Sequence, residues 1–433
     1  MSAEAGAVYA WGGNASGQLG AGDAIDRPSP CWLPDAPAAS AVCCGDYHSA
    51  LVTTDGRLLT WGAGEAGQLG HGDAEPALYP RVVRALDGVR VHAVACGSRH
   101  TLALTVDGVV LAWGSGTFGA LGLGLQAPEE QLRPAPVLGL QGKHPCAIVV
   151  GVYHSAALTD GGEVHTWGWG RHGQLGDGEL GSYAFLPRKV DALEGVRIDE
   201  LASGAHHLLA RGRRADRPPE HAVAHGGGDV WAWGCGEAGQ LGLDDVQSRA
   251  APTQLPPSSM GGRKILAVAC GERHCAVIAV EGAVYCWGCG VFAPASTPLP
   301  VHAAGAASSE DAVVPTPTLL PALSYVSVVR LACGFRNVAG VTASGQVLWW
   351  QGGDSAHTIE FLAETHGGAS RDEGAHDGPA RAGCVQLSCG GYHSLALVGR
   401  RAGSQPWVQA RLNGAEVQRA LEQAAVERGV IER

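Results

Sequence analysis

Val42-Cys43-Cys44-Gly45-Asp46-Tyr47-His48-Ser49-Ala50-Leu51-Val52, followed by Asp55-Gly56, Trp61-Gly62 and Gly67-Gln68-Leu69-Gly70, is one copy of a cassette that returns seven times. Its Gly-x-x-His turns begin at Gly45, Gly97, Gly151, Gly204, Gly271, Gly334 and Gly390. Its Trp positions are Trp11, Trp61, Trp113, Trp167, Trp233, Trp287 and Trp350. His48 to Trp61, His100 to Trp113, His154 to Trp167 and His274 to Trp287 are each thirteen residues apart, and Asn337 to Trp350 keeps that interval. His207 to Trp233 is twenty-six, so this copy carries a thirteen-residue insertion. A period near 50 residues is the mark of a closed radial repeat.

Outward from the turn, Ser49 to Thr53 and Arg57 to Trp61 read as short apolar strands joined at Asp55-Gly56. Asp-Gly between such runs is a hairpin signal whose two turn positions both favour positive φ. Equivalent turns are Asp107-Gly108, Gly161-Gly162, Glu281-Gly282 and Ser344-Gly345. Two further strands, such as Ala77 to Val83 and Val89 to Ala95, would complete a four-stranded unit. The chain opens on a Trp half and closes on a Gly-x-x-His half, so Val8 to Trp11 is expected to pair with Leu395 to Val398. The reading is all-β: a seven-bladed β-propeller closed by its two ends, which leaves only short sheet edges. The propeller is expected over residues 1–410. A tail over 411–433 follows, with a helix from Asn413 carrying Val417, Leu421, Ala425 and Val426 and a stop at Gly429.

Composition fits. Sixty-five Gly in 433 residues is about twice average usage, as frequent turns demand. The repeated Trp residues are expected between blades. Thirteen Cys is an odd count, and Cys44, Cys96, Cys270, Cys333 and Cys389 all precede a turn Gly, so they read as small buried residues in a reducing cytoplasm or nucleus. Cys286-Trp287-Gly288-Cys289 lacks the second ligand pair a metal site needs. No transmembrane segment and no signal peptide are expected, and a monomer is. The net charge of −11 argues against nucleic acid or chromatin as partner.

His48, His100, His154, His207, His274 and His393 occupy one slot in six of seven copies. A catalytic His is a single residue with an orienting partner; repetition points instead to imidazoles bridging backbone groups inside their own blades. No catalytic residue, metal set or cofactor site is expected. Function is sought where the repeat breaks: Arg211 to Gly228, Val291 to Pro317, and Asp354 to Arg381. The candidate partner-binding residues there are Arg211, Arg213, Arg214, Glu360, Glu364, Asp372 and Glu373, on loops that are either binding surfaces or plain insertions.

The cassette resembles the repeat of the regulator-of-chromosome-condensation family, on the residues quoted from Val42 to Gly70. Gly-x-x-His signatures also recur at Val94 to Leu104 and Leu387 to Leu397, and Gly-Gln-Leu-Gly at Gly17, Gly67, Gly173 and Gly239. The resemblance spans Val8 to Val398 and independently implies a seven-bladed propeller. Members include an exchange factor for the small GTPase Ran that also docks on nucleosomes, a plant UV-B photoreceptor, and ubiquitin-ligase modules. Ser98 and Glu272 stand where the photoreceptor's chromophore tryptophans would be, so UV-B sensing by that route is not expected. The basic tail that goes with chromatin docking is also missing. The resemblance therefore implies a protein partner held by an interaction scaffold or, as the alternative, nucleotide exchange on a small GTPase.

Overall fold

The computed structural model describes residues 6–215, 227–280, 282–290, 312–324, 326–351, 356–361 and 383–399. These form seven four-stranded antiparallel sheets arranged as a β-propeller. Blade one is Ala39–Cys44, His48–Thr53, Leu58–Gly62 and Ala77–Val82. Blades two to six span 91–136, 145–189, 196–254, 265–319 and 328–359. Blade seven joins Gly383–Cys389 and His393–Gly399 to Ala7–Gly12 and Arg27–Trp32, with Ala7 opposite Val398 and Trp11 opposite Ser394. The closure expected from the phase of the repeat is observed. The strand following Ala77–Val82 is corrected: Val91–Cys96 opens blade two rather than completing blade one. The expected C-terminal helix, Glu364, Asp372 and Glu373 lie outside the described residues.

The hairpins also differ from the sequence reading. Gly56, Gly108, Gly162, Gly282 and Gly345 have positive φ, but Asp55, Asp107 and Ser344 do not. Gly56 N–H donates to Thr53 O, Thr53 N–H to Arg57 O, and Arg57 N–H to the Thr53 hydroxyl. This is a three-residue loop with a type I turn followed by a left-handed Gly. The Thr hydroxyl takes a donor that the loop would otherwise leave unpaired, and Thr105, Thr159 and Thr342 do the same elsewhere.

Blades are joined by a repeated relay. Trp61, Trp113, Trp167, Trp233 and Trp287 are fully buried. Each donates its indole N–H to a loop carbonyl of the preceding blade: Gln18, Gln68, Ala120, Gln174 and Gln240 respectively. The same carbonyls of Gln18, Gln68 and Ala120 accept the hydroxyls of Ser49, Thr101 and Ser155. Those hydroxyls in turn face imidazoles of the blade before them: His48 Nε2 lies 2.8 Å from Thr101 Oγ1, His100 2.9 Å from Ser155 Oγ, and His393 2.6 Å from Ser49 Oγ. Because each hydroxyl gives its proton to a carbonyl, Nε2 carries the hydrogen, and burial keeps these imidazoles neutral at pH 7. The histidines are thus structural, but their partners are side chains of the next blade, not backbone groups of their own. Where the hydroxyl slot is Leu208, His154 bonds Ser203 instead, and where it is Val338, His274 bonds the Asn337 carbonyl.

The turn glycines close the ring at its axis. A Cβ on Gly45 would lie 2.4 Å from Gly97 O, and one on Gly390 would lie 2.1 Å from Gly45 O. Neighbouring blades therefore approach too closely at the centre for any side chain. Gly390→Ala is expected to cost about 3 kcal/mol, in the upper range for overpacking. Gly161→Ala, whose Cβ would meet only the Thr159 hydroxyl at 3.6 Å, is expected to be near neutral. Urea denaturation of both variants checks this, and equal stabilities would refute close approach at the axis.

Candidate functional site

The Gly-x-x-His turns fix their first and last residues and leave the two between free. Because the Gly faces the axis and the His is buried, the intervening pairs emerge on one face around a central cavity of about 230 Å³. The first residue of each pair lines that cavity: Asp46, Ser98, Val152, Ala205, Glu272, Phe335 and Gly391. The second forms a wider crown of Tyr47, Arg99, Tyr153, His206, Arg273, Arg336 and Tyr392. Tyr47, Arg99, Arg273, Arg336 and Tyr392 are exposed, and Tyr153 and His206 are half-buried. Tyr and Arg are the residues that dominate protein interfaces, since they offer large area with a polar tip or fork.

The crown is held in place by aromatic packing. Tyr392 stacks on Tyr47 with ring centroids 5.0 Å apart and on Phe335 at 5.5 Å, linking blades one, six and seven. The Arg336 guanidinium sits over Phe335 at 5.9 Å. On the opposite arc Phe118 stacks on Trp169 at 4.9 Å and meets Tyr153 edge-on at 5.3 Å. The Arg171 guanidinium covers Trp169 at 5.7 Å, and Trp169 packs edge-on to His206. Phe118 has a φ of 58°, left-handed backbone that a bulky residue rarely adopts. It occupies the loop position that Ala66 fills in blade one, where the side chain is buried instead of exposed. Strain of this kind persists where the surroundings hold it and tends to mark functional sites.

Inside the crown the electrostatics are acidic. Burial pushes the Asp46 carboxyl up, partly offset by a hydrogen bond from Ser98, and burial likewise pushes Glu272 up. The cavity therefore pairs two desolvated carboxyls with a rim of Arg99, Arg273 and Arg336.

The residues singled out from sequence fare differently. Arg211 is corrected: it lies within the strand His207–Arg214, buried, with its guanidinium 3.0 Å from Glu200. A buried charge needs such a partner, so Arg211 is committed to the blade. Arg213 is in the same strand, exposed and paired to Asp199 at 3.1 Å, and Arg214 ends it, exposed. Glu360 is exposed beyond the last strand of blade six. None of these is brought into the crown. Spacing alone does not single out the crown, although a signal is present: its own positions are Tyr three times, Arg three times and His once, while the inner residue of each pair differs in every copy. Among the described residues, two groups gather three possible metal-ligating atoms: His207 with Cys270 and Cys275, and His172 with Cys235 and Glu237. No helix among the described residues is long and apolar enough to cross a membrane.

A closed ring bound by indole and imidazole relays carries on one face a crown of Tyr, Arg and His, residue types that protein interfaces favour. Residues 1–210 match the model of the RCC1-like domain, and 227–278 and 265–292 match regulator of chromosome condensation (RCC1) repeats. The chain is 31% identical over 346 residues to the ultraviolet-B receptor UVR8 of Arabidopsis thaliana, covering 79% of this chain and 72% of the receptor. It belongs to the RCC1 family. It is also 38% identical over 353 residues to the human E3 ubiquitin-protein ligase HERC2, spanning 81% of this chain but only 7% of the ligase. Among solved structures, human WBSCR16 superposes with a TM-score of 0.72 at 23% identity, covering 92% of this chain and all of the other. Prp20p of Saccharomyces cerevisiae, studied for its binding to Gsp1p and histones, gives 0.73 at 20% identity over all of this chain and 96% of its own. At these identities the two structures speak for the fold alone.

Proposed function

We propose that the protein is an interaction scaffold that grips a protein partner with the crown of its Gly-x-x-His face. The observation that carries this is the crown's composition: Tyr47, Tyr392, Arg99, Arg273 and Arg336 exposed on a rigid ring whose turn Gly is the same in every blade and whose His gives way only to Asn337. A pre-organised rim of Tyr and Arg lowers the ordering cost of binding. The fit is to a partner segment with acidic groups for the arginines and a basic tip for the Asp46 and Glu272 interior. The test is affinity capture with the full chain from cells that express it. The triple variant Arg99→Ala, Arg273→Ala, Arg336→Ala is expected to lose partners held by the wild type by tenfold or more, while Arg90→Ala on the opposite face retains them. Equal capture by both would remove the crown from consideration.

Nucleotide exchange on a small GTPase is the second reading. It is supported by the family, by the likeness to Prp20p with its studied binding to Gsp1p, and by the two cavity carboxyls, which could meet a basic GTPase surface. Exchange requires only that the propeller stabilise the nucleotide-free partner. Release of fluorescent nucleotide from a panel of small GTPases separates the readings: acceleration of one member by orders of magnitude establishes exchange, and none leaves the scaffold. A cytoplasmic or nuclear location is part of the proposal and rests on the thirteen cysteines.

A further inference from the structure

At the junction of blades four and five one link of the repeated relay is built from sulfur. His207 opens a strand of blade four, and Cys270 and Cys275 stand directly opposite each other on two strands of blade five. Their Sγ atoms are 3.7 Å apart, and His207 Nε2 is 3.1 Å from Cys275 Sγ. All three ligand atoms lie within 4.8 Å of one another. The corresponding opposite pairs in the other blades are Cys44 and Ser49, Cys96 and Thr101, Val150 and Ser155, Ser203 and Leu208, Cys333 and Val338, and Cys389 and Ser394. Elsewhere the relay from imidazole to loop carbonyl therefore runs through a hydroxyl, or is bypassed, and no other blade places two thiols there. Cys275 performs the ordinary link, giving its S–H to Gln240 O at 3.2 Å. The second sulfur is not needed for it.

We propose that His207, Cys270 and Cys275 form a binding site for a thiophilic divalent cation, Zn²⁺ in kind, which staples blade four to blade five. Two thiolates and one imidazole are a ligand set that zinc favours. Tetrahedral zinc with Zn–S bonds of about 2.3 Å separates two sulfurs by about 3.8 Å, close to the spacing already present. The Nε2 to Sγ edge of the same tetrahedron is about 3.6 Å, so the imidazole withdraws from Cys275 by about half an ångström. Cys270 also lines the central cavity, which gives the ion its way in and a water as fourth ligand. Binding converts both thiols to thiolates and releases their two protons to solvent, and the His207 proton moves from Nε2 to Nδ1 so that Nε2 can ligate; the Cys275 to Gln240 hydrogen bond is exchanged for the metal bond.

The full chain, reduced and freed of metal, is titrated with Co²⁺ as the probe and then with Zn²⁺. One equivalent of Co²⁺ is expected to bring up thiolate-to-cobalt charge-transfer absorption with tetrahedral ligand-field bands. Zn²⁺ should abolish them and raise the melting temperature. Cys275→Ser places at 275 the residue found at Ser49, Ser155 and Ser394, and Cys270→Ser places at 270 the residue found at Ser203. Both variants therefore keep the relay chemistry and are expected to melt with the metal-free wild type. Their affinity for Co²⁺ should fall by about a hundredfold or more, beyond what loss of an outer partner costs. Three outcomes would overturn the site: no absorption in the wild type, undiminished absorption in Cys275→Ser (cobalt then sits on other thiols), or a Cys270–Cys275 disulfide that persists under reductant and excludes metal.

Discussion

Acidification from pH 7 to pH 4 is expected to unfold the propeller in one cooperative step. Burial holds the imidazoles far below their usual range: His48 and His393 at about 3, His100 and His274 at about 4, and His154 lower still than ordinary. Neighbouring imidazoles depress His48 and His154 further. In the unfolded chain each takes up a proton near pH 6.5, so below that value the unfolded state binds more protons than the native one. Stability is therefore full above pH 6.5 and drains as the pH falls toward the folded values, by about 1.4 kcal/mol per pH unit for each imidazole. Asp46, Glu200 and Glu272 act in the opposite sense, because burial raises them and the native state protonates first. They are fewer and soften the slope without reversing it. Ellipticity against pH at constant ionic strength reads the transition. His393→Asn, the exchange already present at Asn337, should move its midpoint to lower pH; an unmoved midpoint would mean that other groups drive it.

Trp113→Ala is expected to cost about 3–5 kcal/mol, the range for truncating a fully buried indole. Trp113 is completely buried between blades one and two beside Leu86, Val94, Ala103 and Leu111. Its N–H reaches Gln68 O at 2.9 Å, and the left-handed Gly70 lets the loop lie against the ring. Against a total of about 5–15 kcal/mol, that loss leaves a marginal ring. Trp113→Phe keeps most of the packing and loses only the N–H, at about 1 kcal/mol, since Gln68 O still accepts Thr101. Urea curves at pH 7 give both values. A loss below about 1 kcal/mol for the alanine variant would show that the interface relaxes around the hole.

Seven-fold phasing and the shared closing blade were legible because they depend on counting. The interval from Gly-x-x-His to Trp stays constant wherever the blade is regular. Contacts between blades were not, because a histidine in one copy gives no sign of which copy supplies its acceptor. Ser49, Thr101 and Ser155 each follow a repeated His, but spacing gives no sign that their hydroxyls link one blade to the next. The doubled interval from His207 to Trp233 places Arg211 in a loop by sequence alone. The structure lengthens both strands instead, and only the register puts Glu200 opposite it. Asp55-Gly56 predicts a two-residue turn, and the loop is one residue longer because the Thr53 hydroxyl replaces a ladder bond. The crown is less legible because Tyr, Arg and His share its positions, and no spacing tells which of two adjacent turn residues projects outward.

The shared blade has a consequence for assembly. Ala7–Gly12 is an inner strand whose neighbour, His393–Gly399, comes from the far end of the described chain. During synthesis this strand emerges long before His393–Gly399 and must wait, unpaired along one edge, until that strand is made. The rest of the ring can form from local hairpins, but the latch is the strand pairing most distant in sequence among the described residues, and such contacts are slow to form. In that interval the nascent protein is an open arc with two bare sheet edges. Chaperone demand and domain swapping between copies should therefore concentrate at this seam and at no other.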